Sequence, residues 1–189
     1  MYYIVSYQGF SDGEARALDR PIISGRADLA FDEGMWVHDS PNTVRFVMTQ
    51  EDRGEIGDLV PTGLPGLVIS DRFRHLLDGA GIDNVQYIAA EIADVVSGRT
   101  FADYFIANVI GLVDCIDLTR SKVTFRAAPP GAIRFIDELH IDERRAGGLP
   151  LFRLARRSTI VMMSEPVQQK IASANLRGVG LIPAEGYAT

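Results

Sequence analysis

The stretch that decides the fold of this chain is Leu67-Val-Ile-Ser-Asp-Arg-Phe-Arg-His-Leu-Leu-Asp-Gly-Ala-Gly-Ile-Asp-Asn-Val-Gln-Tyr-Ile-Ala-Ala-Glu91, because a similar stretch follows it 94 positions later. Six of the 24 aligned positions from 68 to 91 are identical. Both stretches predict a strand, a helix and a second strand. Internal repeats have to be sought first, since a missed repeat leads to the wrong fold. We therefore expect two similar strand-helix-strand units, at about residues 67–91 and 161–185.

Both predicted helices carry the same start and stop signals. Ser70 and Ser164 each precede an acidic residue, so that a hydroxyl can accept from the free amides of the first turn and a carboxylate can favour the helix dipole. Gly81 and Asn175 follow the helices, and both residue types tolerate the left-handed conformation that ends a helix. The apolar positions recur with helical spacing, which predicts one buried face for each helix.

The rest of the chain predicts strands and turns. Gly111 predicts a bend in a long strand over 101–117. The segment 118–121 predicts a turn that pairs this strand with the strand 122–125 in a hairpin. Residues 144–148 predict a second turn. Content of β-branched and aromatic residues indicates strands at Tyr2–Tyr7, Thr43–Met48, 101–117, 122–125 and 133–141. Taken together, the predicted strands and helices indicate an α+β fold with a largely antiparallel sheet that supports two helices.

A length of 189 residues corresponds to a single domain. Within it we distinguish a variable strand and loop region, 1–66, from the region 67–189 that contains the repeat. The single cysteine, Cys115, cannot form an internal disulfide, and no Cys/His set has zinc spacing. We therefore expect neither a metal nor a cofactor. No leader segment and no apolar run of about 18 residues is present, so a cytoplasmic protein that does not enter a membrane is expected.

The charge is unevenly distributed along the chain. The net charge is −6, made up of −6 in residues 1–66, −3 in residues 67–150 and +3 in residues 151–189. So acidic a chain is poorly suited to direct nucleic-acid binding, which requires cations that displace counterions from phosphate. The acidic first third could instead bind a basic protein partner, with ordinary solubility as the alternative explanation.

Three groups of motifs carry a family resemblance. They are Val68-Ile-Ser-Asp-Arg-Phe73, then Tyr104-Phe-Ile-Ala-Asn-Val-Ile-Gly-Leu-Val-Asp-Cys-Ile-Asp117, then Leu151-Phe-Arg-Leu154 with Ser164-Glu165. In order and spacing these motifs resemble the Imm11 family, immunity proteins of bacterial polymorphic toxin systems. The likeness covers most of residues 67–185, with no clear match in 1–66. It implies a non-enzymatic cytoplasmic protein that binds and neutralises one cognate toxin, and it assigns the apolar positions Leu77, Tyr104, Val113 and Phe152 to the fold.

No catalytic constellation emerges from the sequence. Asp114 and Asp117 flank Cys115, but three residues apart on a strand they face opposite sides and cannot act as an acid/base pair. Cys115 has no spacing-linked histidine, which favours a small core residue over a nucleophile. The glycines of Asp78-Gly-Ala-Gly-Ile-Asp83 close a helix, whereas a dinucleotide loop must open one. The histidines are widely separated, at His38, His75 and His140.

The leading hypothesis is therefore an immunity protein that occludes its toxin stoichiometrically. Acids of the first third could mimic an anionic substrate, and large apolar side chains could anchor the interface. Trp36, the only tryptophan, is by itself more often a core or lid residue. The candidate partner-binding residues are Asp32, Glu33, Met35, Trp36, Asp39, Asp52 and Glu55, and the acidic set extends to Asp28, Glu51 and Asp58.

A second hypothesis belongs to another class. Two similar units packed together could leave a pocket between them for a small molecule, as in a regulatory domain. The helix starts at Ser70 and Ser164 would then present backbone amides to an anion.

Overall fold

The computed structural model describes residues 1–8, 30–48, 56–63 and 66–189. The strands in this part of the chain are β1 (Tyr2–Tyr7), β2 (Thr43–Met48), β3 (Leu59–Val60), β4 (Leu67–Ser70), β5 (Val85–Asp94), β6 (Thr100–Val109), β7 (Leu112–Val113), β8 (Lys122–Phe125), β9 (Ile133–Glu138), β10 (Leu151–Leu154), β11 (Arg157–Ser164) and β12 (Val179–Pro183). The helices are α1 (Asp71–Gly79), α2 (Glu143–Ala146) and α3 (Glu165–Ser173).

The strands form two five-stranded sheets and one hairpin. The first sheet has the order β12-β1-β11-β10-β7, the second has the order β2-β5-β6-β4-β3, and β8 pairs with β9. Neighbouring strands are antiparallel except in the pairs β2–β5 and β7–β10. The α+β class is thus confirmed, but the expected single sheet is several sheets.

The two strand-helix-strand segments have the same local topology. In the first, β4 and β5 lie on either side of β6, which is antiparallel to both. In the second, β11 and β12 lie on either side of β1, again antiparallel to both. Each segment is therefore a split unit in which a helix joins two strands and a third strand is inserted between them.

The strand register is also the same in the two segments. Ser70 pairs with Tyr104 as Ser164 pairs with Tyr2. On the other side of the inserted strand, Ala89 pairs with Phe105 as Pro183 pairs with Tyr3. Both pairings show that residues 2–7 of β1 take the place that residues 104–109 of β6 take in the first segment. In sequence, however, β1 precedes its segment whereas β6 follows its own. The duplication itself stays a prediction, to be tested by superposing the backbones of 70–91 and 164–185.

The helix boundaries follow the expected signals with one exception. The Ser70 hydroxyl accepts from the amide of Phe73 at 3.2 Å, as a capping residue should. Ser164 occupies the N-cap position of α3 as expected, but its side chain makes no capping hydrogen bond, so only that part of the prediction is wrong. Gly81 and Asn175 adopt φ angles of 78° and 50°, which confirms the left-handed ends of both helices.

A shared apolar core joins the two units. Alternate residues of β1 and β6 face this core, while their neighbours face separate cores on the far side of each sheet. Each fully buried large apolar side chain contributes about 1.5–3 kcal/mol, so the shared cluster holds the units together strongly. Its members include Val5, Ile69, Phe73, Leu77, Ala107, Val161, Met163, Val167 and Ile171.

Three local expectations are changed by the structure. The strand predicted over 101–117 ends at Val109 and resumes at Leu112, because Gly111 takes a φ of 107°. Strand β8 does not pair back onto it but pairs forward with β9. The turn expected at 144–148 is the one-turn helix α2, whose start is capped by the Asp142 carboxylate.

Candidate functional site

One surface loop collects most of the predicted partner-binding residues. Asp32, Glu33, Met35 and Trp36 lie in the loop of residues 31–37 that precedes β2, and Asp39 follows with a φ of 53°. The loop begins at Phe31, whose side chain is completely buried in the core of the second sheet. Asp28, Glu51, Asp52 and Glu55 lie outside the described residues.

The loop turns its largest apolar side chains outward. Met35 is 61% exposed and Trp36 is 57% exposed. The interpretation of Trp36 as a core residue is therefore wrong. Single exposed apolar residues are common on protein surfaces, but a cluster of them marks an interaction site.

A buried arginine fixes the start of the loop. Arg153 on β10 is only 1% exposed, and its Nη2 donates to the Phe31 carbonyl at 2.7 Å. The same guanidinium donates to the carbonyls of Val109 and Ser158 at 3.0 and 2.9 Å. Burial lowers the pKa of Arg153 to about 10, an effect that the charge of Asp32 opposes, so the side chain is charged at neutral pH. The loop is thereby tied to the first sheet.

Two side-chain amides fix the middle of the loop to the second sheet. Gln86 and Asn108 face each other across β5 and β6. Gln86 accepts from the amide of Val37 at 2.9 Å and donates to its carbonyl at 2.8 Å. Asn108 donates to the Met35 carbonyl at 2.9 Å and to the Gln86 side chain at 3.0 Å. The backbone around Trp36 is therefore held from below while its side chain faces solvent.

Gly34 brings the loop against β7. It has a φ of 68° and its carbonyl accepts from the amide of Gly111 at 2.8 Å. A Cβ at this position would lie 2.8 Å from the Leu112 side chain, which would have to move, and the positive φ itself favours glycine. Leu112 is itself exposed and lies beside the loop. We call the surface formed by Met35, Trp36 and Leu112, with Asp32 and Glu33 beside them, the Trp36 patch.

Sequence reasoning missed the residues that hold this patch. Arg153 interrupts the buried apolar strand Leu151–Leu154, and such a charge within an apolar run is the signal that could have found it. Gln86 and Asn108 likewise are polar residues on inward-facing strand positions. Leu112 gave no signal, since its exposure depends on the break at Gly111.

Residues that could suggest catalysis have structural partners. Asp114 accepts from Arg156 at 2.8 and 2.9 Å. Asp117 accepts from the amide of Thr119 at 3.0 Å and so stabilises the turn expected at 118–121. Cys115 is completely buried and burial raises its pKa to about 11, which confirms a core thiol. His75 is exposed and contacts Asp71, while His140 lies between Glu138 and Glu185. In the described ranges, no group of three or more His, Cys, Asp or Glu side chains is placed so that it could hold a metal ion.

The carboxylate of Asp58 accepts hydrogen bonds from within the chain and is not available to a partner. Asp58 is 9% exposed and accepts from the Ser70 hydroxyl at 2.6 Å and from the amide of Arg177 at 2.8 Å. It therefore links the start of α1 to the segment after α3. Asp58 is thus removed from the acidic set expected to face a partner. Its carboxylate also stands where the second hypothesis expected an anion to bind at Ser70.

The region between the units does not resemble the expected pocket. In the part of the chain that the structure describes, the shared apolar cluster joins α1, α3 and both large sheets. A cavity of about 300 Å³ lies instead on the second unit alone, lined by Gln168, Ile171, Ala172, Asn175, Leu176, Val179 and Leu181. Among the described residues, this arrangement does not support a small-molecule pocket between the units.

None of the helices that the structure describes is both long and apolar enough to cross a membrane.

Comparison with protein-family models gives a match over most of the chain. The model of the immunity protein family Imm11 matches residues 8–186. The match thus extends through residues 8–66, for which the motifs gave no clear resemblance, and includes the Trp36 patch. No curated protein matches the chain.

Proposed function

The chain belongs to the Imm11 immunity protein family, and we propose that it binds one cognate toxin and neutralises it by stoichiometric occlusion of the toxin's active site or substrate path. We place this encounter in the bacterial cytoplasm, within a polymorphic toxin system, and propose no catalytic step. The observation that supports a specific surface is the Trp36 patch, in which large apolar side chains are exposed on a loop fixed by buried hydrogen bonds.

The fixed backbone favours tight binding. Interface energy concentrates in a few large side chains, with tryptophan among the most frequent. Ordering a mobile loop on binding would subtract from that energy. Because the carbonyls of Phe31, Met35 and Val37 are already held, this cost is met on folding rather than on binding.

The charge beside the patch indicates the chemistry of the partner. Asp32 and Glu33 flank the apolar residues, within a first third whose net charge is −6. Complementary charge accelerates association and selects partners of opposite sign. We therefore propose a basic toxin surface with an apolar depression for Trp36. A toxin that acts on an anionic substrate has a basic substrate cleft, and the acids of this chain would occupy the place of that substrate.

The first experiment measures stoichiometry and the contribution of Trp36. Toxin activity should fall linearly with added protein and reach zero near a molar ratio of one. Trp36→Ala should weaken binding by about 2–4 kcal/mol in calorimetric titration, the loss typical of a central aromatic anchor. Leu149→Ala is the matched control, since Leu149 is comparably exposed but lies outside the patch. Equal binding by the wild type and Trp36→Ala would rule out this surface while leaving the immunity function open.

A second experiment tests the acidic component. Reversing the charges at Asp32, Glu33, Asp52 and Glu55 should slow association about tenfold or more at low salt and weaken protection of cells from the toxin. The same variant should associate with little further dependence on salt. Full binding and full protection by this variant would contradict the substrate-mimicry proposal.

A further inference from the structure

The hairpin of β8 and β9 carries a surface whose charge is opposite to that of the Trp36 patch. Phe125 and Phe135 on it are 46% and 48% exposed. The Arg134 guanidinium lies 5.0 Å from the centroid of the Phe135 ring. The hairpin from Lys122 to Glu138 contains three basic residues and two acidic ones, and both acids, Asp137 and Glu138, lie at the end of β9. We call Phe125, Arg126, Arg134 and Phe135 the cationic hairpin surface.

Folding does not account for these side chains. The inward positions of the hairpin, Val123, Ile133 and Ile136, pack into the core of the first sheet. Phe135 pairs with the exposed Thr124 on the outer face. Two exposed aromatic residues on a hairpin whose other face is already buried indicate a contact surface.

The cations on this surface are available to a partner. Lys122 is paired with Glu138. Arg126 and Arg134, by contrast, have no carboxylate within salt-bridge distance among the residues that the structure describes. Unpaired guanidinium groups beside exposed rings suit an acidic surface that also presents an aromatic side chain, because arginine binds both carboxylates and ring faces.

The chain itself contains such a surface. The Trp36 patch presents Asp32 and Glu33 beside an exposed indole. We infer that the cationic hairpin surface binds the Trp36 patch of a second copy of this chain. The charges of the two surfaces are complementary, and Trp36 offers the ring on which an arginine binds best.

The contact is weak by its size and charge. A hairpin face against a short loop buries less than the ~1,200 Å² of stable specific interfaces, and the net charge of −6 on each copy opposes association. Each copy carries both surfaces, so the contact either closes a two-fold dimer, in which each surface meets the other surface of the partner copy, or links copies head to tail. A toxin bound at the Trp36 patch would compete with this contact, so that self-association belongs to the toxin-free protein.

Sedimentation velocity on the purified full chain tests the inference without any toxin. In 25 mM salt the weight-average mass should rise continuously between about 10 and 500 µM, and in 0.5 M salt it should return to that of the monomer, because surface charge pairs are screened. Arg126→Glu/Arg134→Glu should reduce the association constant about tenfold or more, and Asp32→Lys/Glu33→Lys should do the same. The control Arg45→Glu/Arg99→Glu makes the same change in net charge on the second sheet and should retain at least the larger part of the association.

A charge-swap mixture gives the decisive result. When Arg126→Glu/Arg134→Glu is mixed with Asp32→Lys/Glu33→Lys, each contact again joins an acidic to a basic surface. Association should therefore return, although each variant alone associates more weakly than the wild type. Three results would overturn the inference: a monomer at every concentration in low salt, unchanged association of Arg126→Glu/Arg134→Glu, or no recovery in the mixture. A monomeric chain that bound a poly-glutamate peptide through Arg126 and Arg134 would overturn the second copy as the occupant.

Discussion

Replacing Arg153 is the sharpest test of how the loop is held. The guanidinium donates to three carbonyls from a fully buried position. Hydrogen bonds from charged donors are each worth about 1.5–3 kcal/mol, so their loss in Arg153→Met costs about 4–9 kcal/mol. Burial lowers the pKa of Arg153 from 12.5 to about 10, which at about 1.4 kcal/mol per unit means that removing the charge returns about 3 kcal/mol. The net prediction is a loss of about 1–6 kcal/mol.

Arg153→Lys is predicted to be more destabilising than Arg153→Met. Lysine keeps the buried charge, and its single nitrogen cannot reach the carbonyls of Phe31, Val109 and Ser158 together. The desolvation cost therefore remains while most of the hydrogen bonding is lost. A substitution that keeps the charge is thus predicted to lower the stability more than one that removes it.

The assay separates global stability from loop order. Urea unfolding followed by circular dichroism gives the free energy of unfolding for the wild type and both variants. Trp36 is the only tryptophan, so its fluorescence anisotropy in the native state reports the order of the loop directly. Both variants should lower this anisotropy without urea. Three results would contradict this role of Arg153: an Arg153→Met variant that unfolds like the wild type, an Arg153→Lys variant more stable than Arg153→Met, or an unchanged Trp36 anisotropy.

Three further predictions concern other contacts. Gly34→Ala should destabilise the protein by about 1–3 kcal/mol through its positive φ and the Leu112 contact. Adding Leu112→Ala should restore only the stability lost to the steric contact, because the positive φ remains. Full recovery in the double variant, or no loss in Gly34→Ala, would contradict this. Asp58→Asn should cost about 1–3 kcal/mol, because an amide cannot accept from both Ser70 and Arg177 as the carboxylate does; Asp83→Asn, on the surface, is the control and should unfold like the wild type. Hydrogen bonding to His140 holds the pKa of Glu185 below its usual value. Its stabilising effect is therefore present above the unfolded pKa near 4.5 and is lost as the pH falls through the folded pKa. The wild type should exceed Glu185→Gln in urea midpoint at pH 7, and the difference should disappear near pH 3; a constant difference would disprove the assignment.

Local signals in the sequence were sufficient for individual elements. The strands Tyr2–Tyr7 and Thr43–Met48 have the predicted limits, because their β-branched and aromatic content and the following breaks act over a few residues. The helices α1 and α3 start 94 residues apart, as the repeat predicts, since serine, acid and apolar spacing specify a helix locally. The family resemblance also depended only on such motifs and their order.

Pairing between distant elements was decided by the tertiary structure. The local turn signal at 118–121 predicted that strand β8 pairs backward, whereas the core formed by Ile133, Ile136 and their neighbours selects β9. Register across β6 and β1 depends on residues that are close in space but remote in sequence, so no local pattern contains it.

For the candidate site, the sequence by itself determined which residue types were available, an acidic stretch with one tryptophan. Only the tertiary structure decided that Trp36 is exposed and that Asp58 is not. Trp36 faces outward because Arg153, Asn108 and Gln86, from strands up to 122 residues away, hold the loop backbone beneath it. Side-chain exposure depends on what packs against the other side of the chain, and that is settled only when remote strands meet.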